Sequence, residues 1–300
     1  MGEPTRSSWT GGLERHLSRL VVAPSFAVSL FFVYGFILWT AYISFSRSKM
    51  LPVYSWAGVV NYVRLWSQER WHVAIVNLAL FGVCFVVICL VLGILLAVLL
   101  DQRIRVEGAL RTIYLYPLAL SFIVSGTAWR WLLNPSVGIQ QFVRDLGFPD
   151  FTFDWITNPQ FAVYTLVIAG VWQSSGFVMA LFLAAIRGVD QEIVKAAYLD
   201  GASLPRIYLR IVIPSVRPVF LTAIVVLSHI AIKSFDLVVA LTGGGPGFAS
   251  DLPANFMYEM TFRRNEIGVG AASAMMMLAA VMAIIVPFLY SELRVEKRNV

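Results

Sequence analysis

Six stretches of this 300-residue chain, about 20–45, 73–100, 112–133, 161–186, 218–241 and 267–290, are apolar almost throughout. A helix needs roughly 20 apolar residues to cross the hydrocarbon core of a bilayer. Helices and closed barrels are the only structures that satisfy their backbone polar groups there. The pattern predicts an all-α, polytopic membrane protein with six transmembrane helices. Composition agrees. Hydrophobic residues make up 59% and charged residues 13%, against roughly 45–50% and ~25% in a soluble domain. Too few polar side chains remain to cover a water-facing surface, which excludes a soluble enzyme, a disordered chain and a secreted disulfide scaffold.

The first stretch follows Arg15 and Arg19, as a signal peptide would. Its apolar run exceeds the roughly 7–15 residues of a signal core, and no small-residue cleavage site follows. It is expected to be a retained span. No repeat or low-complexity tract interrupts the chain, so residues 1–300 are expected to form one transmembrane domain. Orientation follows from Lys and Arg. With the N-terminus inside, fourteen of them fall on the inner side and seven on the outer, with Arg130 and Lys233 inside spans. Cytoplasmic loops carry the excess of Lys and Arg, so both termini are expected to be cytoplasmic. The four basic residues of the first outer loop, Arg47, Lys49, Arg64 and Arg70, run against that trend. The same rule accounts for the net charge of +6 without nucleic acid.

Little in the chain points to catalysis. No Lys follows a Gly, so there is no phosphate loop; the run Gly243-Gly244-Gly245-Pro246-Gly247 lacks that lysine and falls on the outer side. His16, His72 and His229 are too scattered for a zinc site. Cys84 and Cys89 lie in one apolar run at a spacing that puts them on different helix faces, against a disulfide or a metal site. A non-catalytic chain with no metal is expected.

The loop 187–217 is too long for a plain connector between helices. It reads as helix, turn, helix. Gly201 is placed to end the first helix in a left-handed conformation. Ser203 can cap the second, with Pro205 in its first turn and Pro214 ending it. Ile193, Ala196, Ala197 and Leu204 make a short apolar face. Small alanines flanked by Glu192, Lys195 and Asp200 suit docking into a partner's groove; a solvated basic loop on lipid headgroups is the alternative from composition.

Polar residues inside spans are costly unless they bond another helix or line a wet cavity. The fourth span carries Trp172-Gln173-Ser174-Ser175-Gly176. In the fifth, His229, Lys233 and Asp236 are spaced to share one helix face, where Lys233 and Asp236 could pair across a turn. The sixth opens with Gly268, Gly270, Ala271, Ala272, Ser273 and Ala274, small residues that mark close helix packing.

From Lys195, the segment KAAYLDGASLPRIYLRIVIPSVRP resembles the EAA loop of ABC-importer permeases, with its E-A-A, D-G-A and I-x-L-P pattern. Ala196, Ala197, Asp200, Gly201, Ala202, Ile211 and Pro214 match; Lys195 stands where the family usually has Glu, and Glu192 matches another acidic position. LTGGGPG, from Leu241 to Gly247, looks like the signature that carbohydrate (maltose-type) permeases carry after the following span. GALRTIYLYPLALS and IAIKSFDLVVALTGGGPG look most like the glucose/mannose branch.

The resemblance implies a permease subunit of an ATP-driven sugar importer, multi-pass in a bacterial cytoplasmic (inner) membrane. Its partners would be a second permease subunit, two ATP-binding subunits that carry the ATP and Mg, and an extracytoplasmic sugar-binding protein. ATPase coupling would fall to Glu192, Lys195, Ala196, Ala197, Asp200 and Gly201. The sugar path would involve Trp172, Gln173, Ser174 and Phe177, with Ile230, Lys233 and Ser234. Trp172 and Phe177 offer apolar faces for sugar C–H groups, and Gln173 and Ser174 offer hydrogen bonds. Another class, an ion-coupled secondary sugar transporter, would need buried acidic residues for coupling, and Asp236 is the one candidate.

Overall fold

A computed structural model of the chain describes the backbone of residues 8–102 and 104–296, and the side chains of 22–102 and 104–290. Arg6, Arg103, Lys297 and Arg298, counted above, lie outside the described residues, as do the side chains of Arg15, His16, Arg19 and Arg294. The helices are α1 (Ser8–Ser44), α2 (Val60–Trp66), α3 (Glu69–Asp101), α4 (Glu107–Leu115), α5 (Phe122–Leu132), α6 (Ile139–Asp145) and α7 (Ala162–Arg187). They continue with α8 (Gln191–Leu199), α9 (Leu204–Ile207), α10 (Ile213–Ser215), α11 (Arg217–Ile232), α12 (Asp236–Leu241), α13 (Pro253–Tyr258) and α14 (Ile267–Glu296). The one β-type pairing among the described residues is an isolated bridge between Ser46 and Trp56.

Four helices are long and apolar enough to cross a membrane by themselves, within α1, α3, α7 and α14, and two bent helix pairs bring the number to six. The central helix is α7. Its span is 67% buried, against 6% for Val22–Ser44 of α1, which lies outermost along α14. α3 packs on α7 through a stripe of Phe81, Phe85, Cys89, Gly93 and Ala97, one residue per helical turn. The two helices meet tightly at Gly93, where a Cβ would lie 2.4 Å from Val178 Cγ1. At 33 residues, α3 is about 50 Å long by helix rise, well beyond the ~30 Å core. Both of its ends therefore reach loops outside the hydrocarbon.

Two of the expected spans are not continuous. The third, 112–133, breaks after α4 into a 3-10 turn, Tyr116–Ala119, and the flanking segments are bent by 101°. Pro117 lies in that turn, Leu120 is extended, and the Ser121 hydroxyl caps α5 by accepting from Val124 N. The fifth, 218–241, ends its first helix at Ile232 and restarts at Asp236. Lys233 closes α11, where the helix dipole favours a cation, and Asp236 opens α12, where it favours an anion. His229, Lys233 and Asp236 therefore share no single helix face, and Lys233 and Asp236 form no ion pair.

Contacts between loops sort the two ends of the bundle. Arg187 meets Asp101 and Glu107, joining the 101–107 and 187–217 loops. At the other end Arg64 meets Glu266 and Arg70 meets Asp251. A cavity there is shared by Arg130, Asn134 and Thr157 with Thr242 and Pro246. Loops alternate between ends as six crossings require.

Candidate functional site

The 187–217 loop folds as a helical hairpin. Asp190 caps α8, its Oδ1 accepting from Glu192 N at 2.8 Å. Asp in that position is a standard start signal that the sequence reading passed over. The helix ends as expected. Gly201 has φ +76°, Ala202 N donates to Ala197 O, and Gly201 N donates to Tyr198 O, both at 3.0 Å. These are the paired bonds of a Schellman terminus. Ser203 precedes α9 in an extended conformation, but its hydroxyl makes no cap bond. Pro205 lies in the first turn.

Pro214 does not end the second helix. The chain widens into a π turn, Tyr208–Val212, and continues through α10, with Ile213 N bonded to Tyr208 O. The extra residue in that turn absorbs the proline, and the bend of 67° comes afterwards at Val216.

The apolar face of α8 divides in two. Ala197 points into the protein and is buried, while Ile193, Ala196 and Leu199 point outward, Leu199 being 89% exposed. Glu192, Lys195 and Asp200 are exposed around them. Behind the hairpin, Tyr208 Oη donates to Asp101 Oδ2 at 2.5 Å and accepts from Gln102 Nε2 at 2.9 Å. Burial and the neighbouring carboxylate push the tyrosine pKa up, so the hydroxyl stays protonated and remains a donor.

A second site centres on α7. A cavity of 590 Å³ lies between α3, α4, α5 and α7, with Leu92, Tyr114, Pro117, Trp129, Trp172 and Ser175 in its lining. Trp129 and Trp172 meet edge to face at 5.9 Å. Of the four α7 candidates, Trp172 reaches this cavity. Gln173 and Ser174 are both 3% exposed and turn into the packing; Phe177 is half-buried against the core. Gln173 Nε2 donates to Leu120 O at 2.8 Å, across to the break in the third span, while its Oε1 is buried without a partner. α7 runs hard against α4 here: a Cβ on Gly176 would lie 1.9 Å from Tyr114 O. The fifth-span candidates stand apart, and none of them lines the cavity. Ile230 packs on the core, the Ser234 hydroxyl donates to Ile230 O at 2.8 Å, and Lys233 is exposed.

The glycine run forms a tight turn at the end opposite α8. Gly243, Gly244 and Gly247 all have positive φ, which explains the run, since other residues avoid that region. The Ser250 hydroxyl bonds Gly245 O at 2.7 Å and Thr242 Oγ1 at 2.8 Å. Beneath it lies a polar cluster that the sequence reading missed. The fully buried Asp251 accepts from Arg70 Nε and from Asn255 Nδ2, each at 2.6 Å, and Asn77 Nδ2 donates to the carbonyls of Ala249 and Asp251. Burial pushes the Asp251 pKa up, and the bonds from Arg70 and Asn255 oppose it. No local pattern couples residues 70 and 251.

Among the described residues no group of His, Cys, Asp and Glu could hold a metal ion. In overall form the chain is similar to a chain of a bacterial ABC transporter involved in the import of the acidic polysaccharide alginate. The TM-score is 0.83 at 19% identity, covering 95% of this chain and 98% of that one; at that identity the likeness shows the fold. A probable ABC transporter permease protein of Pyrococcus horikoshii is 37% identical over 281 residues, 93% of this chain and 96% of that protein. The xylose/arabinose import permease protein XacH of Haloferax volcanii is 37% identical over 262 residues, 86% of this chain and 82% of that protein. Nothing in these likenesses supports the ion-coupled alternative. Residues 90–295, more than half of the sequence, match one described family, and the chain belongs to it: the inner membrane components of binding-protein-dependent transport systems.

Proposed function

We propose that this chain is one of two permease subunits of an importer that carries a sugar inward, driven by two ATP-binding subunits and supplied by an extracytoplasmic sugar-binding protein. ATP and Mg belong to the ATP-binding subunits, and this chain is non-catalytic. Both termini and the α8 hairpin face the cytoplasm. The observation that carries the reading is the outward row of Ile193, Ala196 and Leu199 on α8. An apolar row ringed by Glu192, Lys195 and Asp200, held at a fixed angle by the Gly201 terminus, suits a protein groove better than water. A sugar as cargo is supported by the name of the XacH relative and by the Trp172–Trp129 pair at the cavity. Glucose or mannose is the finer reading, resting on the stretches around Pro117 and Lys233.

Transport along α7 requires the α7–α4 contact to part. We place Gln173, Ser174 and Phe177 on the surfaces then exposed, continuing from Trp172, with Ile230, Lys233 and Ser234 beside the break in the fifth span. The test of the coupling is cross-linking from Leu199→Cys, since Ala197 faces inward. It is expected to capture an ATP-binding subunit, with a yield that changes on ATP binding. Absence of any capture from an active complex would overturn the assignment.

A further inference from the structure

The α8 helix touches the rest of the protein sparingly. Of its residues only Ala197 is buried, as part of the main core, with Val194 packed against that core. Beside this contact, Gln191, Val194 and Tyr198 line a cavity of 460 Å³, whose other walls include Asp101, Ile186 and Tyr208. On its C-terminal side α8 is held through the Gly201 turn and α9, and from there through the π turn that starts at Tyr208. At that residue the hairpin is tied to the transmembrane body. Tyr208 Oη donates to Asp101 Oδ2 at 2.5 Å, and Gln102 Nε2 donates to the same hydroxyl at 2.9 Å. Asp101 is the last residue of α3. Arg187, the last residue of α7, places its Nε 3.7 Å from Asp101 Oδ1, and its Nη2 bonds Leu100 O at 3.4 Å and Glu107 Oε1 at 2.7 Å. The Tyr208 hydroxyl thus bonds the end of α3 directly, and the end of α7 joins the same carboxylate through Arg187.

We propose that Tyr208 is a positioning residue that latches the α8 hairpin to the joined ends of α3 and α7, so that displacement of α8 moves those helices as one body. The proposal rests on α8 being the contact with an ATP-binding subunit. A hydroxyl is suited to the task. It donates to a carboxylate, the stronger class of hydrogen bond, and accepts from Gln102, so its direction is fixed from two sides. The geometry of the π turn places it where the hairpin turns toward α11. Without the latch, α8 would still be joined to the spans by the chain, but its push would be absorbed in the cavity behind it.

The experiment uses the complete complex in lipid nanodiscs, with spin labels on α8 at Gln191→Cys and on α3 at Val83→Cys. The distance distribution is recorded with and without Mg-ATP and vanadate. With Tyr208 present the distribution is expected to stay the same on trapping, because α8 and α3 move together. Tyr208→Phe keeps the ring and removes the hydroxyl; it is expected to broaden the distribution and to raise the detached population roughly tenfold, the worth of a hydrogen bond to a charged group. Asp101→Asn keeps an acceptor for the hydroxyl but loses the carboxylate charge and the Arg187 ion pair, and is expected to change the distribution in the same direction as Tyr208→Phe at smaller size. Gln102→Ala, which removes the bond donated to Tyr208 together with a local one to Val98 O within the last turn of α3, serves if Tyr208→Phe does not assemble, with the same direction at smaller size. A parent distance that changes on trapping overturns the latch. So does an unchanged distribution in Tyr208→Phe while Leu199→Cys still captures an ATP-binding subunit. If Leu199→Cys captures none in the parent complex, it is the coupling role of α8 that fails.

Discussion

Arg70, in the first turn of α3, and Asp251, between the glycine turn and α13, are 181 positions apart in sequence and 2.6 Å apart in space. The carboxylate is fully buried, and the guanidinium is also within 3.5 Å of Glu259. Through Asn255 and Asn77 the same cluster holds the backbone on which the glycine turn rests. The turn is thereby fixed to the end of α3 opposite the one that meets Tyr208.

Arg70→Ala leaves a buried carboxylate without its cation, a loss expected to cost about 3–5 kcal/mol. The pH dependence has a definite sign. Burial already holds the Asp251 pKa above its ordinary value of 3.8 in the folded state, and removing Arg70 takes away a group that opposes the rise. A group whose folded pKa is raised contributes most at pH below its unfolded value, and that contribution is lost as pH rises through the folded value. The deficit of Arg70→Ala is therefore expected to shrink on acidification toward the unfolded Asp value and to be full at neutral pH. Thermal unfolding in detergent across that range, against the parent protein, measures it. A deficit that grows on acidification would contradict the placement of Asp251.

Gly243 and Gly244 make a matched pair for separating backbone strain from crowding. Both have positive φ, but a Cβ at Gly243 meets nothing within 4 Å, whereas one at Gly244 lies 2.8 Å from Asn255 Nδ2. Gly243→Ala is expected to cost about 1–2 kcal/mol, the left-handed penalty alone. Gly244→Ala adds roughly 1–3 kcal/mol of overpacking and disturbs the amide that holds Asp251. The order of the two unfolding temperatures checks this, and equal losses would count against it.

Ser121→Ala removes the hydroxyl that accepts from Val124 N at the start of α5. A lost cap of this kind is worth about 1 kcal/mol. Since Pro117 and the extended Leu120 hold the break in the third span independently, the bend is expected to persist. A modest drop in unfolding temperature with unchanged cross-linking between α5 and α12 is the anticipated result.

The six apolar stretches were legible because hydrophobic length is a local property, and so were the Gly201 terminus and the glycine run. Continuity of the third and fifth spans was not. Tyr-Pro-Leu-Ala-Leu-Ser keeps a high hydropathy through a break that depends on Pro117 and on a cap by Ser121. Lys233 and Asp236 carry spacing for one helix face, yet they terminate two separate helices. Gln173 read as a polar group that either bonds another helix or lines a wet cavity; its bond to Leu120 O follows from how closely Gly176 lets α7 approach α4, which its own spacing does not reveal. Arg70–Asp251 and Tyr208–Asp101 join distant positions that no periodicity relates.

The last prediction separates packing from transport at Gln173. Its Nε2 bonds Leu120 O, while its Oε1 is buried with no partner. Gln173→Leu fills similar volume, removes the unpaired oxygen and loses one neutral hydrogen bond. Those terms oppose each other, and stability is expected to change by less than about 1 kcal/mol. If the side chain meets sugar once α7 and α4 part, transport does not share that tolerance. An uncompensated hydrogen bond is worth about 1–1.5 kcal/mol, so apparent affinity in uptake should fall roughly five- to tenfold. Phe177→Ala should lower uptake as well, but with a stability loss, because Phe177 packs on the core. The measurement is uptake by the reconstituted complex at saturating binding protein, paired with ATPase stimulation and thermal unfolding for each variant. Parent-level uptake in Gln173→Leu and in Phe177→Ala, with assembly and stimulation intact, would assign these residues to helix packing and remove them from the path.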